Sequence, residues 1–283
     1  MSRLTVSAEE VARYRSMTPR MFGPSLRERS LRWGVALLCV CFSLYAMDRT
    51  GLFDLARIWD GLGKLGFLLN LMFPPAHNGY FWDFLGGIAE TLAMAFLGTL
   101  GAALIALPLG FLGAKNVSAS RILRFFFRRS FDAIRGVDQL IWALVFINVV
   151  GLGPFAGILA IIVADAGTFG KLFSEAIENA SRGPVEGVRA SGGGRLAEAR
   201  LVLLPQVFPV LVSQTLYYFE SNTRSATILG IVGAGGIGLQ LSDRIRVNNW
   251  DEAAFIILMI LATVSVIDYA SKHLRVRLIG KRG

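Results

Sequence analysis

Five stretches of this 283-residue chain are apolar over a length comparable to a bilayer crossing, and clusters of arginine and lysine stand between them. A helix needs roughly 17–25 mostly apolar residues to cross about 30 Å of hydrocarbon. Trp33–Met47, Phe84–Phe111, Gln139–Ala164, Leu201–Phe219 and Ala253–Tyr269 are the candidates. In the third, Gly151, Leu152, Gly153 and Pro154 interrupt the run, which reads as two short spans joined by a tight turn. The expectation is an all-α integral membrane protein of about six spans. Composition agrees, with 54% apolar and 17% charged residues, against about 25% charged in an ordinary soluble domain. A single water-soluble globule is excluded.

An even number of spans puts both termini on one side, where basic residues should collect. Residues 1–32 hold seven Lys/Arg, 114–136 six, 171–200 five and 272–283 five, so 23 of the 29 basic residues fall in four segments that six spans place together. The segments 48–83 and 223–252 hold three each, balanced by Asp and Glu. The formal charge of +9 is therefore a topology signal, with both termini cytoplasmic in an inner membrane, and nucleic acid is not an expected partner. The expected organisation is a basic cytoplasmic segment 1–32, a first anchor 33–47, an outer segment 48–83, a transmembrane domain 84–271 and a basic tail 272–283. No small-residue cleavage site follows the first apolar run, so it reads as a retained anchor.

Within the second span, Gly98, Gly101, Ala102, Ala103 and Ala106 suit close helix packing. Cys39 and Cys41 lie two apart on one helix and point to different sides, far from His77 and His273. Neither a disulfide nor a metal cluster is expected from them. No G-x-x-x-x-G-K-[ST] occurs, so ATP has no P-loop in this chain. No cofactor is expected here.

Residues 174–205 read SEAIENASRGPVEGVRASGGGRLAEARLVLLP, short helical pieces broken at Gly183–Pro184 and at Gly192–Gly194. Proline suits a helix start and glycine a helix end. Taken alone, this is a helix-turn-helix inside the loop 171–205, and an ordinary solvated connection would look the same. Its spacing, however, resembles the signature of the permease subunits of ABC importers: Glu-Ala-Ala, three residues, Gly, nine residues, Ile-x-Leu-Pro. Glu186, Gly187 and Val188 stand at the first three positions, Gly192 follows after three residues, and Val202, Leu204 and Pro205 close it. The departures are Gly187 and Val188 for the alanines and Val202 for isoleucine.

The resemblance narrows to the phosphonate importer permease branch through VEGVRASG at 185–192, LPQVFP at 204–209, YFESNTR at 218–224, LGIVGAGGIG at 229–238, and WALVF at 142–146 followed by VGLGPF at 150–155. Similar permeases serve phosphite and phosphate. The resemblance covers roughly residues 80–272. It implies a methionine-importer-permease-like core with an extra N-terminal helix and no catalytic role. It also implies a docking segment for a cytoplasmic ATPase, comprising Pro184, Val185, Glu186, Gly187, Val188, Arg189, Ala190, Ser191 and the turn at Gly192, with Leu204 and Pro205 closing the signature. The implied partners are an ABC ATPase dimer that carries ATP and Mg, an external phosphonate-binding protein and a second copy of this chain, all in lipid. The longest outer loop, 48–83, is too short to be the binding protein itself.

Gly233, Gly235 and Gly238 match the G-x-G-x-x-G dinucleotide fingerprint, and Ala226–Val232 could pass for its strand. Flanking membrane spans leave no room for alternating strands and helices, so the fingerprint is rejected. These glycines, with Gly236, read instead as a helix break at membrane depth with close backbone approach. The resemblance places them near the translocation path or dimer axis.

Ionisable side chains inside a bilayer are functional candidates, which points at Glu90, Asp165, Glu220 and Arg224. Glu220 and Arg224 are four apart and can neutralise each other near the outer end of a span. The alternative is that Arg224, with Asn222 and Tyr217, lines a cavity that attracts an anionic phosphonate. Asp165 is expected to cap or anchor the end of its span. Two rivals to a phosphonate permease are an importer permease for another solute such as methionine, and a secondary transporter resting on Asp165 and Glu220.

Overall fold

Helices occupy every long apolar run, and no strand occurs among the described residues. The structure is a computed structural model that describes residues 26–52, 54–118 and 120–279. Two compact units, residues 1–68 and 69–283, divide the chain. Most of the basic segment 1–32 and the last four residues of the tail lie outside the described residues.

The first unit contains α1 (Leu26–Arg49) and most of α2 (Leu55–Leu71). At 24 residues α1 is longer than the run 33–47, about 36 Å, enough to cross a bilayer. Its exposed Leu37, Leu38 and Phe42 suit a lipid-facing surface. No helix was expected in 48–83. In α2, Leu55, Ile58, Trp59 and Leu62 recur at helical spacing, but the run is too short and too mixed to register as a span.

The second unit is built around α3 (Phe81–Gly113), 33 residues long, about 50 Å. After it come α4 (Arg121–Arg135), α5 (Gln139–Val150), α6 (Pro154–Glu178), α7 (Arg182–Ala190), α8 (Leu204–Leu229), α9 (Gly236–Arg246) and α10 (Trp250–Ile279). Three apolar layers lie along α3. Ala102 and Ala106 meet Phe169, Phe173 and Val207; Met94 and Ala95 meet Ile161, Ala226 and Leu229; Phe84 and Ile88 meet Ile237, Leu241 and Ile256. The small-residue stripe packs as expected, since a Cβ on Gly98 would fall 2.6 Å from the Cβ of Ile161.

Three expected boundaries are corrected. The run 139–164 is not two short spans: α5 is a 12-residue piece, about 18 Å long, whereas α6 runs 25 residues to Glu178. Gly151, with φ +92°, ends α5, and Pro154 opens α6 where its missing N–H is harmless. Only as a pair are α4 and α5 long and apolar enough to cross a membrane, and they meet at an 86° bend. Asp138 caps α5 by accepting from the Leu140 amide at 2.8 Å. The fourth run does not stop at Phe219, because α8 continues to Leu229 through residues whose polar side chains find partners on neighbouring helices. The fifth run does not stop at Tyr269, because α10 continues as helix to Ile279.

Candidate docking surface and translocation path

Ser181 precedes α7, and its amide donates to Gln206 Oε1 at 2.9 Å, tying the start of the helix to α8. Pro184 sits in the first turn, two residues later than a helix-opening position. At the far end Gly192 adopts φ +84°, a left-handed conformation that favours glycine. The Gly193 amide then donates back to the Val188 carbonyl at 2.9 Å. Val185 and Val188 are half-buried, whereas Pro184, Glu186, Gly187, Arg189, Ala190 and Ser191 are exposed. Leu204 and Pro205 open α8.

One brace was not foreseen from the sequence. Arg189 donates through Nε to Glu198 Oε1 at 2.9 Å and through Nη2 to Oε2 at 3.0 Å. Such two-point pairing fixes orientation as well as distance. It also holds the Arg189 guanidinium above its ordinary pKa. Glu198 lies in a short helical stretch that leads into α8, so α7 and α8 are clamped together. Beneath α7 lies a polar cleft of about 560 Å³, lined by Lys115, Asn116, Glu178, Arg182 and Glu186 among others. Glu178 accepts there from the Lys115 amide at 2.7 Å and from Arg128 Nη2 at 2.8 Å.

The glycine segment forms the expected break. After α8 the chain makes a wide turn with Gly233 at φ +110° and Gly235 at φ +83°, then starts the eleven-residue α9 at Gly236. A Cβ on Gly238 would lie 1.9 Å from the Thr227 carbonyl oxygen, so backbone meets backbone there. Glu90 turns out to be structural: Oε2 accepts from the Gly236 amide at 2.8 Å while Thr91 Oγ1 accepts from the Ile237 amide at 2.9 Å. Together they satisfy the open N-terminus of α9, which also favours a negative charge.

Asp165 is not at the end of its span. Because α6 continues to Glu178, this carboxylate lies mid-helix, buried, and accepts from Asn222 Nδ2, which also donates to Thr99 Oγ1 at 2.8 Å. Gln139 Nε2 adds a longer bond to Asn222 Oδ1. One polar node therefore joins α3, α5, α6 and α8.

Asn222 consequently does not share a surface with Arg224. Two residues on a helix are about 200° apart, a signal already present in the sequence, whereas Tyr217, Glu220 and Arg224 recur at i, i+3 and i+7. Those three face α10. Arg275 Nη2 donates to Glu220 Oε2 and its guanidinium lies over the Tyr217 ring. Arg224 Nη1 reaches Asp268 at 3.2 Å and its Nη2 lies 3.9 Å from Glu220. The pair is therefore level with the basic end of α10.

An all-helical bundle with a half-helix break, buried small-residue contacts and a clamped external helix defines a polytopic membrane transport subunit. The chain matches the binding-protein-dependent transport system inner membrane component family over residues 106–279, and it belongs to that family. Members are permease subunits that work with an ATPase and a substrate-binding protein. It is 34% identical to the phosphite transport system permease protein PtxC of Stutzerimonas stutzeri over 88% of each chain. It is 35% identical to the phosphate-import permease protein PhnE of Mycolicibacterium smegmatis over 90% of this chain, which spans about half, 48%, of that relative. Among solved structures, the inward-facing MetNI methionine ABC transporter matches with TM-score 0.63 and 22% identity, over 72% of this chain and 99% of that one. That likeness supports the expected core fold and carries nothing about solute.

Proposed function

We propose that this chain forms half of the pore of an ATP-driven importer for a phosphorus oxyanion, a phosphonate or the related phosphite or phosphate. The observation that carries the solute class is the pair of relatives named for phosphite and phosphate transport, each aligned over most of this chain. The pore is completed by a second copy, and each copy seats one ATPase subunit on Pro184–Ser191 and the Gly192 turn. A separate external protein delivers the solute. Both termini and α7 face the cytoplasm, which the distribution of basic residues supports.

In this reading ATP and Mg bind only to the ATPase subunits. Closure of the ATPase dimer moves α7, and the Arg189–Glu198 clamp passes that motion to α8. The helices joined at Asp165 and Asn222 turn as a body, so the pore alternates between two arrangements whose populations the nucleotide shifts. Arg224, Glu220 and Tyr217, with the glycines at 233, 235, 236 and 238, border the path. No covalent bond is made or broken in this chain.

The test is ATP hydrolysis in liposomes by the chain with its ATPase and binding protein, comparing an alkylphosphonate, phosphite, phosphate and methionine. Stimulation by one phosphorus oxyanion is expected. Stimulation by methionine alone would remove the solute assignment. Failure to recruit any ATPase, with uptake driven by a proton gradient, would instead return the secondary transporter.

A further inference from the structure

The helix α4 is not explained by docking or by the path. Its sequence, RILRFFFRRSFDAIR, begins with arginine and has no acidic residue in its first turn, against the usual preference at a helix N-terminus. At 3.6 residues per turn Arg121, Arg124, Arg128 and Arg135 follow one edge at spacings of three, four and seven. The adjacent stripe is largely apolar and open, with Ile122 82% exposed and Phe125 and Phe126 each 63% exposed; Arg129 shares it, paired with Asp132 and lying over the Phe125 ring. The opposite face is seated: Phe131 is buried against α6, where a Cβ on Gly170 would fall 2.5 Å from its ring.

The level of α4 follows from Arg128, whose Nε donates to the Gly113 carbonyl and whose Nη2 donates to Glu178. Those residues end α3 and α6, two spanning helices. The first half of α4 therefore lies where the bundle leaves the hydrocarbon, and the 86° bend carries it away from the line of α5. Of the edge arginines, Arg128 is neutralised by Glu178, whereas Arg121 and Arg124 have no ion pair among the described residues. An apolar stripe beside uncompensated guanidinium groups at the bilayer surface suits acyl chains below and phosphate above.

We propose that the first two turns of α4 bind the phosphodiester headgroup of an anionic phospholipid through Arg121 and Arg124, with Ile122, Phe125 and Phe126 against its acyl chains. Through Arg128 and Glu178 the bound lipid steadies the junction at which α3 and α6 meet the approach to α7. The site makes assembly with the ATPase sensitive to the lipid.

The test compares the wild type with Arg121→Gln/Arg124→Gln and with Arg121→Lys/Arg124→Lys in discs of phosphatidylcholine, with or without phosphatidylglycerol. The first readout is phosphatidylglycerol retained on the detergent-extracted permease, seen by native mass spectrometry. It requires no transport, so it stands even if the importer reading fails. Retention by the wild type, its loss in the glutamine pair and its partial return in the lysine pair are expected, at roughly five-fold in affinity per arginine. In the complete importer, phosphatidylglycerol should raise solute-stimulated ATP hydrolysis for the wild type and leave the glutamine pair unchanged. Equal retention by the wild type and the glutamine pair would overturn the proposal. So would displacement of the lipid by inorganic phosphate, which would mark a free-anion site, or, in phosphatidylcholine alone, weaker ATPase recruitment by the glutamine pair than by the wild type, which would mark a protein contact.

Discussion

At the scale of single residues the bundle is decided by what cannot be added or left alone. Gly238 has no space for a methyl group, because the nearest atom to its Cβ would be a backbone carbonyl oxygen at 1.9 Å. Gly238→Ala should therefore cost about 2 kcal/mol or more and lower the melting temperature in detergent. Gly86→Ala, with nothing within 4 Å of its Cβ, should be neutral or slightly stabilising. Equal melting temperatures for the two variants would contradict the close backbone approach. Asn222 is the second case. Its replacement by leucine leaves the Asp165 carboxylate buried without its donor, a loss of about 3 kcal/mol, whereas Asp165→Leu combined with Asn222→Leu should recover most of it. The sequence marks both residues but not the bond between them. The apolar run thins after Ala164, which suggests a helix end near Asp165, and the two-residue spacing of Asn222 and Arg224 puts them on opposite faces of α8.

At the scale of elements, α7 is readable in the sequence because its limits are chemical: proline near the start, a left-handed glycine after the end, and a fixed spacing to Pro205. The helix α4 is not readable in the same way, since a search for long apolar runs passes over fifteen residues in which five arginines interrupt the apolar ones. The Arg189–Glu198 clamp was invisible for another reason, because its nine-residue separation crosses a turn whose path only the folded chain fixes. Docking and transmission separate experimentally. Glu186→Lys or Gly192→Asp should release the ATPase on co-purification while the protein still inserts in the membrane. Arg189→Lys keeps the charge but not the two-point geometry, so it should still recruit the ATPase and lose most solute-stimulated hydrolysis. Normal stimulation in Arg189→Lys would mean that motion reaches α8 by another route.

At the scale of the whole molecule, the long spanning helices and the glycine break follow from hydrophobic length and glycine, but the pairing of charges between distant helices does not. Glu220 and Arg224 were visible as an i, i+4 pair; Asp268 and Arg275, some 44 and 55 positions further along, supply their other partners. Two arginines and two carboxylates leave this seam of α8 and α10 with no net charge, so an oxyanion gains little from it while Arg224 remains bound to Asp268. Arg224 is about half-exposed, with a side chain 48% accessible, and can turn towards an anion only by giving up that bond. Asp268→Asn removes the competitor without removing the arginine. If Arg224 borders the path, this variant should transport at a lower oxyanion concentration and show a steeper loss with added salt, because an uncompensated charge is the one that salt screens. Arg224→Ala should reverse both effects in the same background. Unchanged concentration and salt dependence in Asp268→Asn, with the complex intact, would confine Arg224 to joining two helices and place the anion elsewhere in the pore.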